Sequence, residues 1–330
     1  MRKAVIAVAG WATLCLGALV PATAGAWSDQ GHMATGDIAY DTLRAEHPAS
    51  IAVIVAIMRG HPNAAAFDRQ LVGLTGQARE RRLLALMARW PDDARGGPYD
   101  RPDWHYAVKV VSPWRFVMPL SFGKAHSAFA ENLAIARDPK APAARRAVAL
   151  CWVLHIGGDM HQPLHAGHWM SWRFLKTDRA GTIAWVRRDA GGKPVDLHEV
   201  WDSAADRPVA REVGAELIAR DAEAAHPRAA QARSGPDAQA ALRAWTAESW
   251  ILAKDVAYRN GGGALRTGRS PSAAPVLTKA YGVKTRDVAR RGSRRRAIGW
   301  GGCWPRCHSQ SAATPLTPRR PAWCAPTPRS

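Results

Sequence analysis

His155-Ile156-Gly157-Gly158-Asp159-Met160-His161-Gln162-Pro163-Leu164-His165 closes an apolar, alanine-rich run that begins after Pro142. Val148, Trp152, His155 and Asp159 recur at spacings of four, three and four, which places them on one stripe of a helix. Two of the four are apolar, so that stripe faces the interior and carries an imidazole and a carboxylate inward with it. Burying both is costly unless they pair with each other or bind a cation. A hydrogen-bonded His–Asp pair in the core answers that need, and so does a metal.

Other fragments repeat the chemistry. Asp196-Leu197-His198-Glu199-Val200-Trp201-Asp202 contains a second histidine–carboxylate pair four residues apart, while Glu199 points elsewhere on the same turn. Trp90-Pro91-Asp92-Asp93-Ala94-Arg95 is followed by Asp103-Trp104-His105-Tyr106, and Trp27-Ser28-Asp29-Gln30-Gly31-His32 lies near the start. Histidine with carboxylate is a donor set that zinc takes in hydrolytic sites.

Residues 27–291 are long enough for one domain with a sizeable core. Alanine- and leucine-rich runs with 3–4 spacing predict helices over 33–46, 49–59, 76–90, 121–137, 142–160, 208–224 and 237–258. Prolines 62, 91, 102, 139, 142 and 227 punctuate them. Only 169–195, with Thr182-Ile183-Ala184-Trp185-Val186, reads as a small β-hairpin or loop excursion. No internal repeat and no glycine-rich phosphate loop occurs. The fold class is all-α, a single mostly helical domain.

Both ends differ from this body. Arg2 and Lys3 precede an apolar run to Val20, and small residues at Ala24 and Ala26 complete a secretory signal peptide over 1–26. Cleavage after Ala26 makes Trp27 a free N-terminus and sends the chain to the periplasm or outside the cell, without a stable membrane anchor. Residues 292–330 contain arginine, proline, serine and threonine but no Asp, Glu or Lys. That composition reads as a disordered basic tail, and its tryptophans and cysteines also suit a shifted reading frame. The formal charge of +19 is inflated by both ends. The body is still basic without them, which suits a polyanionic partner. Its one cysteine, Cys151, excludes an internal disulfide there.

The four fragments, in this order, resemble the zinc-dependent single-strand-specific nucleases and 3′-nucleotidases, relatives of the bacterial zinc phospholipases C. The resemblance covers Trp27 to Tyr258, with a weaker echo over 274–291. It rests on Trp27 with His32 five residues on, Trp-x-Asp-x-x-Arg at 90–95, the 155–165 run, and His198-x-x-x-Asp202.

The resemblance implies three zinc ions. Asp92, His105, His155 and Asp159 would hold one. The amino nitrogen and carbonyl oxygen of Trp27, with His32 and a bridging oxygen of Asp159, would hold the second. His165, His198 and Asp202 would hold a third, standing apart. It further implies catalytic roles for Asp92, Arg95 and Asp159, with Arg95 facing the charge that develops on phosphorus. Tyr106 occupies the position of an aromatic that stacks a base, and Val108 stands where some members carry a polar group. Asp178-Arg179-Ala180-Gly181-Thr182 departs from the family's Gly-Gly-Asn loop. The family also continues as a helix beyond 289–291, where this chain turns to arginine and proline. His47, His61, His126, His161, His168 and His226 match no ligand position and read as surface or supporting histidines.

The implied substrates are single-stranded DNA or RNA and 3′-nucleotides, with the enzyme a monomer. A phospholipase C is the nearest alternative. The short Trp27–His32 gap, and aspartate rather than glutamate at 202, weigh against it. A basic nucleic-acid-binding protein without catalysis, or the inactive product of a truncated gene, is the alternative from another class.

Overall fold

A computed structural model describes residues 27–114, 120–225 and 237–299. The expected signal peptide, and the tail from residue 300 on, lie outside the described residues. The helices are α1 (Asp29–Glu46), α2 (Pro48–Met58), α3 (Ala64–Gln70), α4 (Gly76–Asp93), α5 (Ala125–Arg137), α6 (Ala143–Asp159), α7 (Pro163–Ala166), α8 (Leu197–Asp202), α9 (Arg211–Ala225), α10 (Ala238–Leu252) and α11 (Lys279–Gly299). The strands are short: β1 (Val108–Val111), β2 (Ser121–Phe122), β3 (Gly167–Trp169), β4 (Trp185–Arg187), β5 (Pro194–Asp196), β6 (Arg259–Asn260) and β7 (Gly263–Ala264). The domain is mostly helical, as the spacing predicts.

Two boundaries shift in ways that matter for the site. Ser28 caps α1 by accepting a hydrogen bond from the Gly31 amide at 3.2 Å, and Asp29 sits in the positive first turn. The helix therefore starts before the apolar pattern does, with His32 in its first turn. At the other shifted boundary, α4 runs through Pro91 to Asp93. Proline offers no N–H to the Met87 carbonyl, but the turn is closed again by Ala94 N–H to Trp90 O at 2.9 Å. Asp92 is thus on the helix rather than in a loop after it.

The C-terminal helix corrects a third expectation. α11 continues past Arg291 through Gly299, so the arginine-rich stretch begins as helix. Arginine ranks among the better helix formers, which is the physical reason. The helix packs against α9 and α1, and its Val288 and Ala289 are buried.

α1 packs on α4 and α9, and α6 packs on α5, α4 and α2 around Trp27, Leu43, Phe129 and Trp152. A second core gathers Leu164, Val186, Leu197, Trp201, Tyr258 and Tyr281. In the three-stranded sheet, ordered β2-β1-β3, β1 pairs antiparallel with β2 and parallel with β3. The parallel pairing sets the chain before β1 beside the chain before β3: Ala107 N–H donates to His165 O at 3.1 Å. The excursion over 169–195 holds the β4–β5 hairpin, which delivers the chain into α8 with Asp196 as N-cap. Among the described residues no helix is long and apolar enough to cross a membrane.

Gly36 marks the closest approach of α1 and α4. A Cβ there would stand 2.2 Å from the Leu84 carbonyl oxygen and 2.5 Å from the Ala85 Cα. Backbone cannot yield as a side chain does, so Gly36→Ala is expected to destabilise the fold by about 3 kcal/mol. Urea unfolding checks it, and an unchanged midpoint would contradict this helix contact.

Candidate metal centre

Six elements converge on one buried region. His32 comes from α1, Asp92 from the end of α4, His105 from a short 3₁₀ turn over Pro102–His105, and His155 and Asp159 from α6. α7 adds His165, and α8 adds His198 and Asp202. All five histidines and Asp159 are fully enclosed.

Asp159 is the hub. Its Oδ1 lies 3.4 Å from His32 Nε2, and its Oδ2 lies 3.1 Å from His105 Nδ1 and 3.3 Å from His155 Nε2. Asp92 stands between His32 Nε2 at 3.5 Å and His155 Nε2 at 3.7 Å. On the far side, His198 Nε2 is 3.3 Å from both His165 Nε2 and Asp202 Oδ2. Three clusters of potential metal ligands result: His32–Asp92–His155, His105–His155–Asp159 and His165–His198–Asp202. The structure brings together all eight side chains proposed as ligands. Asp92 and His105 fall in separate clusters that share His155. His165 Nδ1 lies 3.9 Å from Asp159 Oδ2, and the third cluster shares no residue with the other two.

The donor chemistry fits a cation. A carbonyl oxygen only accepts, so His155 Nδ1–H donates to Ala88 O at 2.8 Å and His198 Nδ1–H donates to Ala180 O at 2.8 Å. His165 Nδ1–H donates to His105 O at 2.6 Å. Each ring, when neutral, then turns an Nε2 lone pair into its cluster, the usual arrangement of a metal-ligating histidine. Zinc bonds of about 2.0–2.1 Å in a tetrahedron put ligand atoms roughly 3.4 Å apart, which is the spacing seen here. Burial holds the imidazoles of His105 and His165 well below their ordinary pKa and that of His155 down to about 3. Burial also pushes the carboxyl of Asp202 well up and that of Asp92 to about 6, although Arg95 draws the latter down. Neutral imidazoles are ready ligands, and a divalent ion would restore the carboxylates to their charged form.

Residues 27–292 match the family description S1/P1 Nuclease. The chain belongs to the S1/P1 nuclease family. No functionally curated protein matches it. The match spans every ligand-type residue above and reaches into α11. For an S1/P1 nuclease the three His/Asp clusters are candidate metal sites of a metal-dependent enzyme.

The remaining sequence candidates fall around these clusters. Trp27 is buried, its indole N–H donating to Gly158 O at 3.2 Å, next to the hub carboxylate. Arg95 points its Nε and Nη2 at Asp92 Oδ1, at 2.9 and 2.5 Å. Tyr106 stacks on His165 with ring centroids 4.6 Å apart. Two of the non-ligand histidines lie inside the protein, where the supporting reading puts them. His61 and His161 are buried, the first packed edge-on to Trp90 and the second bonded to Gly157 O at 2.8 Å. His47, His126 and His168 are half-buried, and His226 lies outside the described residues.

Three supports escaped the sequence. Arg89 is buried and bridges Asp93 on its own helix to Asp29 on α1, clamping the end of α4 near His32. Gln162 donates from Nε2 to Asp202 Oδ1 at 2.8 Å and its Oε1 caps α7 through the Leu164 amide. Asp178 accepts from the Trp169 amide at 2.9 Å and the Tyr258 hydroxyl at 3.2 Å. It anchors the loop whose Ala180 carbonyl orients His198, and that loop holds Thr177, Arg179 and Ala180 at positive φ. Positive φ in non-glycine residues stores strain that surrounding contacts must hold. For Gln162 the signal was its place between two histidines. Nothing in the sequence marked Arg89 among its neighbouring arginines.

Burial pushes the Asp178 carboxyl up to about 7. The folded chain keeps a proton that the unfolded chain gives up near pH ~4. The stability from this group is thus fully present below about pH 4 and is lost as pH rises through about 7. Asp178→Asn removes this slope. The difference in urea midpoint, variant minus wild type, is expected to rise between about pH 4 and 7. A constant difference would contradict the raised carboxyl.

Proposed function

We propose that this chain is a zinc-dependent phosphodiesterase that cleaves single-stranded DNA and RNA to 5′-nucleotides, with 3′-nucleotidase activity. It acts as a monomer in the periplasm or outside the cell. The observation that carries this reading is the convergence of three His/Asp clusters on one buried carboxylate, in a chain of the S1/P1 nuclease family. Its ligand assignment groups Asp92, His105, His155 and Asp159 around one zinc, with His32 and the main chain of Trp27 completing a second beside Asp159. His165, His198 and Asp202 take a third. Zinc in these clusters supplies positive charge for phosphate oxygens and acidifies water near neutral pH.

The protein's own groups do the positioning. Asp159 shares its two oxygens between clusters, fixing their spacing. Asp92 and Arg95 form a pair in which the guanidinium keeps N–H groups for an equatorial phosphate oxygen, a task its planar fork suits. Tyr106, half-buried and stacked on His165, is the aromatic that meets an unpaired base. A base inside a duplex cannot reach such a ring, which supports a preference for single strands. Val108 is buried and apolar, so its side chain has no hydrogen bond to give a base edge. The basic body attracts the polyanion.

Asp159→Ala is expected to lower cleavage of single-stranded DNA by at least about 100-fold and to release bound metal. Elemental analysis beside the assay checks both effects. Cleavage at the wild-type rate would overturn the hub, and hydrolysis of phosphatidylcholine in place of DNA would favour a phospholipase. A second expectation concerns Trp27. One extra residue before it removes the free amino group, and metal content and activity should both fall. Equal activity with and without the extension would remove Trp27 from the ligand set.

A further inference from the structure

Two stretches leave the metal centre side by side and end in a pair of tryptophans. From the stacked rings of Tyr106 and His165 the chain enters β1 and β3, which run in the same direction with Lys109 opposite Gly167 and Val111 opposite Trp169. Past the strand ends, Trp114 and Trp172 pack with ring centroids 5.0 Å apart. By chain length the Cα of Trp114 stands no more than about 29 Å from that of Tyr106.

Trp172 is 81% exposed, and Leu175 nearby is 63% exposed. The loop that shows them is nevertheless built rigidly. Ser171 and Phe174 exchange both backbone hydrogen bonds, at 3.3 and 2.9 Å, so Trp172 and Arg173 form the tip of a tight turn. Phe174 anchors that turn in the core. Its base is tied by Met170 N–H to Val111 O and by Asp178 N–H to Trp169 O, both at 2.8 Å. Arg173 and Lys176 are exposed beside the tryptophan. No carboxylate occurs from Trp169 to Thr177, and Asp178 is buried. A large aromatic held in water on a fixed turn among cations is a feature that water alone disfavours, and such patches mark interaction sites.

We propose that Trp114 and Trp172, with Arg173 and Lys176, form a stacking platform for nucleotides of the substrate strand that lie beyond the one at the metal centre. The proposal rests on the reading of this chain as a single-strand nuclease and adds where the rest of the strand goes. Stacking on an aromatic face tolerates any base and needs it unpaired, while the two cations meet backbone phosphates. The fixed turn means little ordering entropy is lost on binding. Long single strands then bind more tightly than short ones at the same catalytic centre.

The test compares wild type, W172A, W172F and R173A/K176A on a dinucleotide and on a fluorescein-labelled oligothymidylate of roughly 15 nucleotides. Because Trp172 is exposed, these variants leave the core intact. W172A should raise KM for the oligomer on the order of tenfold, the size of one lost base–aromatic stack. Its kcat and its hydrolysis of the dinucleotide should stay unchanged, and W172F should recover most of the loss. R173A/K176A should flatten the salt dependence of oligomer binding. An oligomer KM equal to wild type in W172A overturns the platform. So does loss of binding to phosphatidylcholine/phosphatidylglycerol vesicles with oligomer binding intact, which would make the turn a membrane contact. If wild type cleaves neither substrate, the nuclease reading fails on its own. Fluorescence anisotropy of the oligomer then decides the platform: Trp172-dependent binding keeps it, and Trp172-independent binding overturns it.

Discussion

The structure is organised around a buried carboxylate surrounded by imidazoles. Asp159 is fully enclosed, and three histidine nitrogens from three other points of the chain lie within 3.4 Å of its oxygens. Placing such groups together in a low-dielectric interior costs several kcal/mol per charge unless a counter-charge accompanies them. Hydrogen bonds from imidazole N–H groups to main-chain carbonyls satisfy one side of three rings and leave their other nitrogens facing inward. A divalent cation resolves both problems together. The helical scaffold brings the ligand-type residues of α1, α4, α6, α7 and α8 together in the three clusters.

Several contacts hold this convergence in place. The Arg89 bridge joins the ends of α1 and α4, and the bare backbone of Gly36 lets the same two helices touch further along. The loop over Thr177–Gly181, anchored by Asp178, carries the carbonyl that turns His198. Gln162 holds Asp202 from the opposite side. None of these groups needs to meet substrate, but a shift in any of them moves a ligand atom by a distance that metal coordination does not forgive.

Much of this was legible in the chain. The long helices announce themselves through 3–4 apolar spacing, and His155 and Asp159 fall on an inward stripe by periodicity alone. His198 and Asp202 repeat the pattern in a helix too short for periodicity, where only their residue types and spacing spoke. The start of α1 lay in its cap at Ser28, which a search for apolar residues passes over. Pro91 reads as a stop because it lacks an N–H, yet the helix runs on because the chain closes the next turn at Ala94. The arginine-rich run past Arg291 read as irregular because helix propensity without an apolar face leaves no period to find. Supports such as Arg89, Asp178 and the Ala180 carbonyl were invisible because their roles arise from three-dimensional neighbours and, for Ala180, from the backbone.

Membership of the S1/P1 nuclease family and the geometry of the clusters lead to one central claim, that eight side chains of this chain hold its catalytic metals. Anomalous X-ray diffraction from crystals of the mature protein, measured on both sides of the zinc absorption edge, tests it directly. The account predicts three edge-dependent peaks, two flanking Asp159 and one among His165, His198 and Asp202. Absence of anomalous density at these clusters in crystals of protein that cleaves single-stranded DNA would contradict it.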